Sequence, residues 1–232
     1  MSTVLTRRAA LATLAATVSS PAFANHPGKN LDARMFKMEP YFQAIDAAQA
    51  PGFELQDSEG NPVRLSDFSD KVVILHFIYA SCPDVCPLHA EKIAAVQAAI
   101  NDGPMKDLVH FISITTDPVN DTPDVLREYA QRHGLDPTNW VMLTKRPDQS
   151  DDATRLLARE YGLEFTMAAD SDMMMHGAVT HVVDIGGRFA AKFHGMDFKN
   201  VNLILYVSEL INNAQHRRRE TSWWDRVTGV FQ

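Results

Sequence analysis

The sequence predicts an α/β fold in which strands alternate with helices around a mostly parallel sheet, closed by an antiparallel hairpin and a last helix. Three observations carry this. "KVVILHFIYA" (71–80) and "LVHFISIT" (108–115) are nearly continuous β-branched and aromatic runs, the pattern of strands buried on both faces. Stretches of helical spacing follow them, such as Leu88, Ile93, Val96 and Ile100. "VTHVVDIGGRFAAKFH" (179–194) sets a Gly-Gly turn signal between two further strands. Strand–helix alternation implies right-handed crossovers and a parallel sheet.

The elements follow in order. "FELQDSEGNPVRLSDF" (53–68) alternates around a Glu-Gly-Asn turn and reads as a hairpin. The strand 71–80 comes next, then the helix "LHAEKIAAVQAAIN" (88–101), then the strand 108–115. In "TPDVLREYAQRHG" (122–134), Thr122 is the expected N-cap, Pro123 the first helical residue and Gly134 the stop. "WVMLT" (140–144) is a third short strand. "SDDATRLLAREYG" (150–162) opens on acids that suit a helix N-terminus and ends at Gly162. The hairpin 179–194 and the amphipathic helix "NLILYVSELIN" (202–212) complete the chain. This order is that of a thioredoxin-like fold with an N-terminal β-hairpin extension.

The regular pattern covers residues 51–212, one domain without repeats or a low-complexity linker. Residues 25–50 are mixed and polar with no clear period, and read as a loosely packed leader. Residues 1–24 read as an export signal: Arg7 and Arg8, an alanine-rich apolar run, then Ala22-Phe23-Ala24 before Asn25. The run is shorter than the ~20 residues of a membrane span. Export places the mature protein in the periplasm, where disulfides persist. The formal net charge is −7, and removal of Arg7 and Arg8 makes it more acidic, which excludes nucleic acid as a partner.

Both cysteines lie in "CPDVCP" (82–87). A disulfide between Cys82 and Cys86 closes too small a loop to be a useful structural staple. A redox couple or two sulfurs of a metal site remain. Residues before proline avoid the α region, so Cys82 and Cys86 are expected outside helix, with Cys86 as N-cap and Pro87 as first helical residue. A helix N-terminus lowers a thiol pKa, so Cys86 is expected to have thiolate character. Two thiolates suit copper(I) or zinc but need a third ligand, whereas a redox couple does not.

Nine histidines are available. His76 and His110 fall inside apolar strands and read as core residues. His133 stands near a helix end, His26 and His216 lie in the terminal segments, and His89 is expected to point away from the cysteine loop. His176, just before the strand at 179, can reach the sulfurs and reads equally as a ligand or as a surface histidine. His181 lies five residues on, an odd offset that puts it on the opposite face. Met173, Met174 and Met175 are soft ligands by type, but methionine more commonly fills space.

"CPDVCP", then "SITTDPVNDTPDVLREYA" (113–130), then "TNW" (138–140) and a histidine upstream of Gly186-Gly187 resemble the Sco/SenC family. These are thioredoxin-fold copper proteins that help assemble the binuclear copper site of cytochrome c oxidase. The resemblance covers about residues 50–212. It implies copper, as copper(I) or copper(II), held by Cys82, Cys86 and His176. It implies as partners a copper-receiving protein, the copper subunit of cytochrome c oxidase, and a thiol reductant. Ala80-Ser81, Asn120 and His181 depart from the family pattern; none of the three ligands does. The second reading is a thiol–disulfide oxidoreductase in which Cys82 and Cys86 are the catalytic pair and reduce the cysteine ligands of a copper-site partner. Against a general oxidoreductase, three residues separate the cysteines and "MHGAVTHVV" has no proline before the strand. Residues 213–232 form a C-terminal tail with clustered arginines and paired tryptophans, suited to peripheral contact with an anionic membrane.

Overall fold

The run at 71–80 folds as the central strand of a six-stranded sheet, and its seven regular residues, Val72–Ile78, are all buried. The protein is described here from a computed structural model covering residues 30–167, 174–175 and 177–229. The segment read as an export signal, Met173 and His176 lie outside the described residues.

In chain order the elements are α1 (Leu31–Met38), β1 (Phe42–Ala44), β2 (Glu54–Gln56), β3 (Pro62–Arg64), β4 (Val72–Ile78), α2 (Val85–Asn101), β5 (Val109–Thr115) and α3 (Pro123–Arg132). They continue with β6 (Trp140–Leu143), α4 (Ala153–Glu160), β7 (Thr166–Met167), β8 (Met174–Met175), β9 (Val179–Val183), β10 (Phe189–His194) and α5 (Asn200–Gly229). The main sheet has the order β1-β10-β9-β4-β5-β6. β4, β5 and β6 are parallel, as the crossovers demand; β9, β10 and β1 are antiparallel additions on the other side of β4.

Strand alternation divides the core in two. Val72, Ile74 and Ile78 of β4 face α2, α3 and α5, with Ile93, Val96, Tyr129 and Tyr206 among the filling side chains. Val73, Leu75 and Phe77 face α4 and the β2–β3 hairpin. The expected caps are in place: Thr122 Oγ1 accepts the Val125 N–H of α3, and Gly134 and Gly162 take positive φ after α3 and α4. Gly186 and Gly187, at φ 88° and 86°, supply the two left-handed positions of the β9–β10 turn that side-chain-bearing residues disfavour.

Two expectations change. Residues 31–44 are not a loose leader: Leu31, Met35 and Phe42 are buried in the main core, and β1 pairs with β10 at the sheet edge. The Tyr206 hydroxyl donates to Asp32 at 2.8 Å, and the Asn202 amide donates to Glu39 at 2.9 Å. The sequence hid this because a three-residue strand and a two-turn helix carry too few positions to show a period. Nor does the chain break at 213: α5 runs unbroken from Asn200 to Gly229.

Candidate metal centre

The cysteine loop joins the C-terminal end of β4 to the head of α2, where ligands bind in parallel α/β sheets. Cys82 follows a turn in which its N–H donates to the Tyr79 carbonyl at 3.1 Å. Helix α2 begins at Val85, with Asp84 as N-cap. Cys86 is therefore the second helical residue and Pro87 the third, which corrects the expected cap by two positions. The bias of a pre-proline residue against helix is overridden, and Pro87 costs no hydrogen bond because the first four helical N–H groups have no intrahelical acceptor. The shift aims the Cys86 N–H at Cys82 Sγ, 3.4 Å away.

Both cysteines are free thiols, and both are buried, Cys82 6% and Cys86 2% exposed. Their protonation preferences are opposite. Burial pushes the Cys82 thiol up, but the N–H groups of Asp84 and Cys86, the Cys86 thiol and the Tyr79 hydroxyl outweigh it and hold Cys82 below the ordinary thiol value. Burial pushes Cys86 far above that value; the hydrogen bond to Cys82 and the charges of Cys82 and Asp121 add to the rise. The expectation of thiolate character at Cys86 is thus corrected: the helix N-terminus serves Cys82, because Cys86 sits inside the helix and its own N–H points outward to the other sulfur.

A second loop clamps the first. The Thr116 N–H donates to the Ile78 carbonyl at 2.7 Å. Asp121, 1% exposed, accepts the Ala80 N–H at 3.0 Å and the Thr115 hydroxyl through one carboxylate oxygen. That same hydroxyl accepts the Asp117 N–H at 2.9 Å. "DPVNDTP" is therefore the strap that fixes the backbone two residues before Cys82. Asp121 and Tyr79 are the site residues that residue-type reasoning missed. The spacing of Asp117 and Asp121 was visible, but its connection to Ala80 is a long-range contact.

Five other histidines, His76, His89, His110, His133 and His181, find structural roles. His89 is buried and its Nε2 shares a 2.8 Å hydrogen bond with Thr180 Oγ1, so it points into the sheet beneath α2. Its ring lies 4.8 Å from that of His76, and His76 bonds Ser113, which also accepts the Trp140 indole N–H. His110 stacks on Phe68 at 4.2 Å, and His133 reaches Glu91 at 3.1 Å. His181 lies in the second core against Tyr161, Phe77 and Phe189, with Nδ1 3.3 Å from the Leu75 carbonyl.

Among the described residues no group of three or more His, Cys, Asp or Glu forms a metal cluster; the site there is two sulfurs. His176, the expected third ligand, lies outside the described residues. Its neighbours in sequence are at the right end of the sheet: β9 begins at Val179, and Thr180 pairs with His76 near the end of β4 that carries Cys82.

Fold and site together define a thioredoxin-like protein whose chemistry rests on a buried, asymmetric dithiol. The chain belongs to the SCO1/SenC family, whose profile matches residues 43–211. It is 35% identical over 186 residues to the mitochondrial SCO2 protein of Saccharomyces cerevisiae, covering 75% of this chain and 58% of that one. It is 28% identical over 143 residues to a SCO2-like protein of Rickettsia prowazekii, covering 61% and 67%. Among solved structures, a SCO1/SenC lipoprotein of Bacillus anthracis superposes with a TM-score of 0.63 at 22% identity, covering 72% and 97%. The copper-bound ScoI of Bradyrhizobium japonicum does so with 0.55 at 27% identity, covering 70% and 98%.

Proposed function

We propose that this protein is an exported, periplasmic copper chaperone that hands copper to the binuclear copper site of cytochrome c oxidase or to a similar cuproprotein. The observation that carries the reading is the pair of adjacent sulfurs, one held toward thiolate, on a SCO1/SenC scaffold. Cys82 and Cys86 are the soft ligands and His176 the imidazole ligand; two thiolates and an imidazole match the preferences of copper. The copper-bound ScoI of Bradyrhizobium japonicum supports copper as cargo. The solved structure of BsSco, described as a member of the Sco family of cytochrome c oxidase assembly proteins, supports the class of recipient. Peripheral membrane contact through the C-terminal segment belongs to this reading.

The asymmetry of the thiols favours a second activity for the same atoms. As a thiol–disulfide reductase, the Cys82 thiolate attacks one sulfur of a partner's disulfide and releases the other as a thiolate. Cys86 then gives up its proton and attacks Cys82 Sγ, leaving a Cys82–Cys86 disulfide and a reduced partner. A thiol reductant must restore the pair. Reduced sulfurs bind copper(I) and oxidised ones do not, so the two activities exclude each other at any instant. His176→Ala separates them: it should abolish stoichiometric copper binding and spare dithiol exchange. Loss of exchange with copper binding intact would reverse the assignment.

A further inference from the structure

The main sheet is open along part of one edge. β6 is its last strand, and the main-chain groups of β6 alternate in direction. The Asn139 carbonyl turns inward and accepts the Phe111 N–H of β5 at 2.8 Å. Thr144 turns outward: its N–H donates to the Gln56 carbonyl at 2.9 Å, and its carbonyl accepts the Gln56 N–H at 3.0 Å. By the same alternation Trp140 and Met142 present their N–H and C=O groups outward, like Thr144. Continued past Gln56, β2 would pair with them in turn. It turns away instead, because Asp57 starts the tight turn into β3. The Asp57 N–H donates to the Asn61 carbonyl at 3.0 Å, and its carboxylate accepts the Glu59 and Asn61 N–H groups at 2.9 and 2.8 Å. Among the described residues no strand takes the vacated place.

A groove of about 530 Å³ lies along this edge, bounded by the hairpin turn at 57–59 and by α3 at 127–131. It reaches both faces of β6. Ala130, Trp140 and Met142 line it on the side of the core under α3, and Phe68 and His110, stacked on each other, line it on the other side. Arg127 donates to the Ser58 carbonyl at 2.6 Å and ties the hairpin to α3. His110 Nε2 is buried with no hydrogen-bond partner among the described residues. The edge strand itself, "WVML" (140–143), carries neither the charges nor the proline that ordinarily guard a sheet edge.

We propose that this edge is a docking site for an extended, cationic segment of a partner polypeptide, which adds as a strand beside β6 in the place that β2 vacates. Its main chain pairs with Trp140 and Met142, and its side chains alternate between the pocket under α3 and the pocket at Phe68 and His110. Charge selects the occupant. Asp57 and Glu59 line the groove, and Asp136 stands between Leu135 and Pro137, which also line it. Against them stand Arg127, already paired with Asp124, and Lys71, whose charge reaches His110. The body behind is acidic too: residues 30–215 hold 15 Lys and Arg against 27 Asp and Glu. A second copy of this chain would bring like charge to the edge, whereas a Lys- or Arg-bearing segment complements it. The edge lies two strand spacings, about 10 Å, from β4, so a docked segment occupies the side of the sheet and not the end that carries Cys82 and Cys86. The inference rests on the open edge and needs no copper.

The test uses the full chain, reduced and without copper. Amide hydrogen exchange by NMR comes first. Trp140 and Met142 should exchange about tenfold or more faster than Val141 and Leu143, whose N–H groups turn toward β5. Equal protection of all four in the free protein would show the edge already covered, by the protein's own chain if independent of concentration and by a second copy if not. Either result would overturn the proposal. The probe for the partner is a library of random octapeptides displayed on phage, with the enriched peptides then made synthetically. These should carry Lys or Arg around alternating apolar residues, bind more weakly as salt is added, and slow exchange at Trp140 and Met142. Glu59→Lys, at an exposed position, should weaken binding about tenfold, and Ala130→Phe, which fills the groove, should abolish it. No enrichment, enrichment of acidic peptides, or binding that leaves the Trp140 and Met142 amides unprotected would overturn the proposal.

Discussion

Replacing Asp121 with alanine is the perturbation whose cost follows most directly from the geometry. The carboxylate is 1% exposed and accepts two hydrogen bonds, from the Ala80 N–H and the Thr115 hydroxyl. Alanine leaves both donors without an acceptor in a site closed to water. Each orphaned buried donor costs about 1–3 kcal/mol, so the variant should lose about 2–6 kcal/mol, a large part of the ~5–15 kcal/mol that holds a domain together. In urea, with a slope of about 2 kcal/mol per molar, the midpoint should fall by about 1–3 M. Asp121→Asn keeps an oxygen acceptor and should lose less than half as much. The same loop positions Cys82, so native-state alkylation of Cys82 should accelerate in the alanine variant. A cost below about 0.5 kcal/mol, with an unchanged slope, would refute the strap as the element that fixes the cysteine loop.

Two further outcomes follow from protonation. Cys82 is held toward thiolate and Cys86 is pushed away from it, so iodoacetamide at neutral pH should modify Cys82 first. In Cys82→Ser the remaining thiol should react at least about tenfold more slowly than Cys82 does in Cys86→Ser; equal rates would contradict the asymmetry. Burial pulls His181 down to about 3 and His110 down to about 4. Both stay neutral in the folded state, while the unfolded chain takes up their protons as pH falls below about 6.5. Stability should therefore be full above about pH 6.5 and decline toward pH 4, by at most about 2.7 kcal/mol per pH unit from the two groups together. His181→Leu should shallow that slope by up to about half, and an unchanged slope would show that His181 is not the neutral core residue described.

The sheet and its helices were legible because their signals are local: unbroken apolar runs for β4 and β5, Thr122-Pro123 and Gly134 around α3, Gly186-Gly187 between β9 and β10. α1 and β1 were not, since Met35 and Phe42 acquire meaning only from Tyr206 and Phe193, more than 150 residues away. At the site, the two sulfurs were evident from "CPDVCP", but their roles were not. The helix begins two residues earlier than Pro87 suggests, and that shift moves the N-terminal N–H groups from Cys86 to Cys82. His89 was expected to point away from the cysteine loop, but its bond to Thr180 depends on how α2 is rotated over the sheet. Asp121 stood in plain view in "DPVNDTP", yet its partner Ala80 is 41 residues earlier.

The central claim is a copper site made by Cys82, Cys86 and His176, and its most direct test is copper binding by the reduced protein beside His176→Ala. Titration with copper(I) and copper(II) should give one copper per chain in the wild type, with thiolate-to-copper(II) charge-transfer absorption that His176→Ala abolishes. Absence of stoichiometric copper, or a spectrum and stoichiometry indifferent to His176, would contradict the three-ligand site and leave the dithiol as a redox couple.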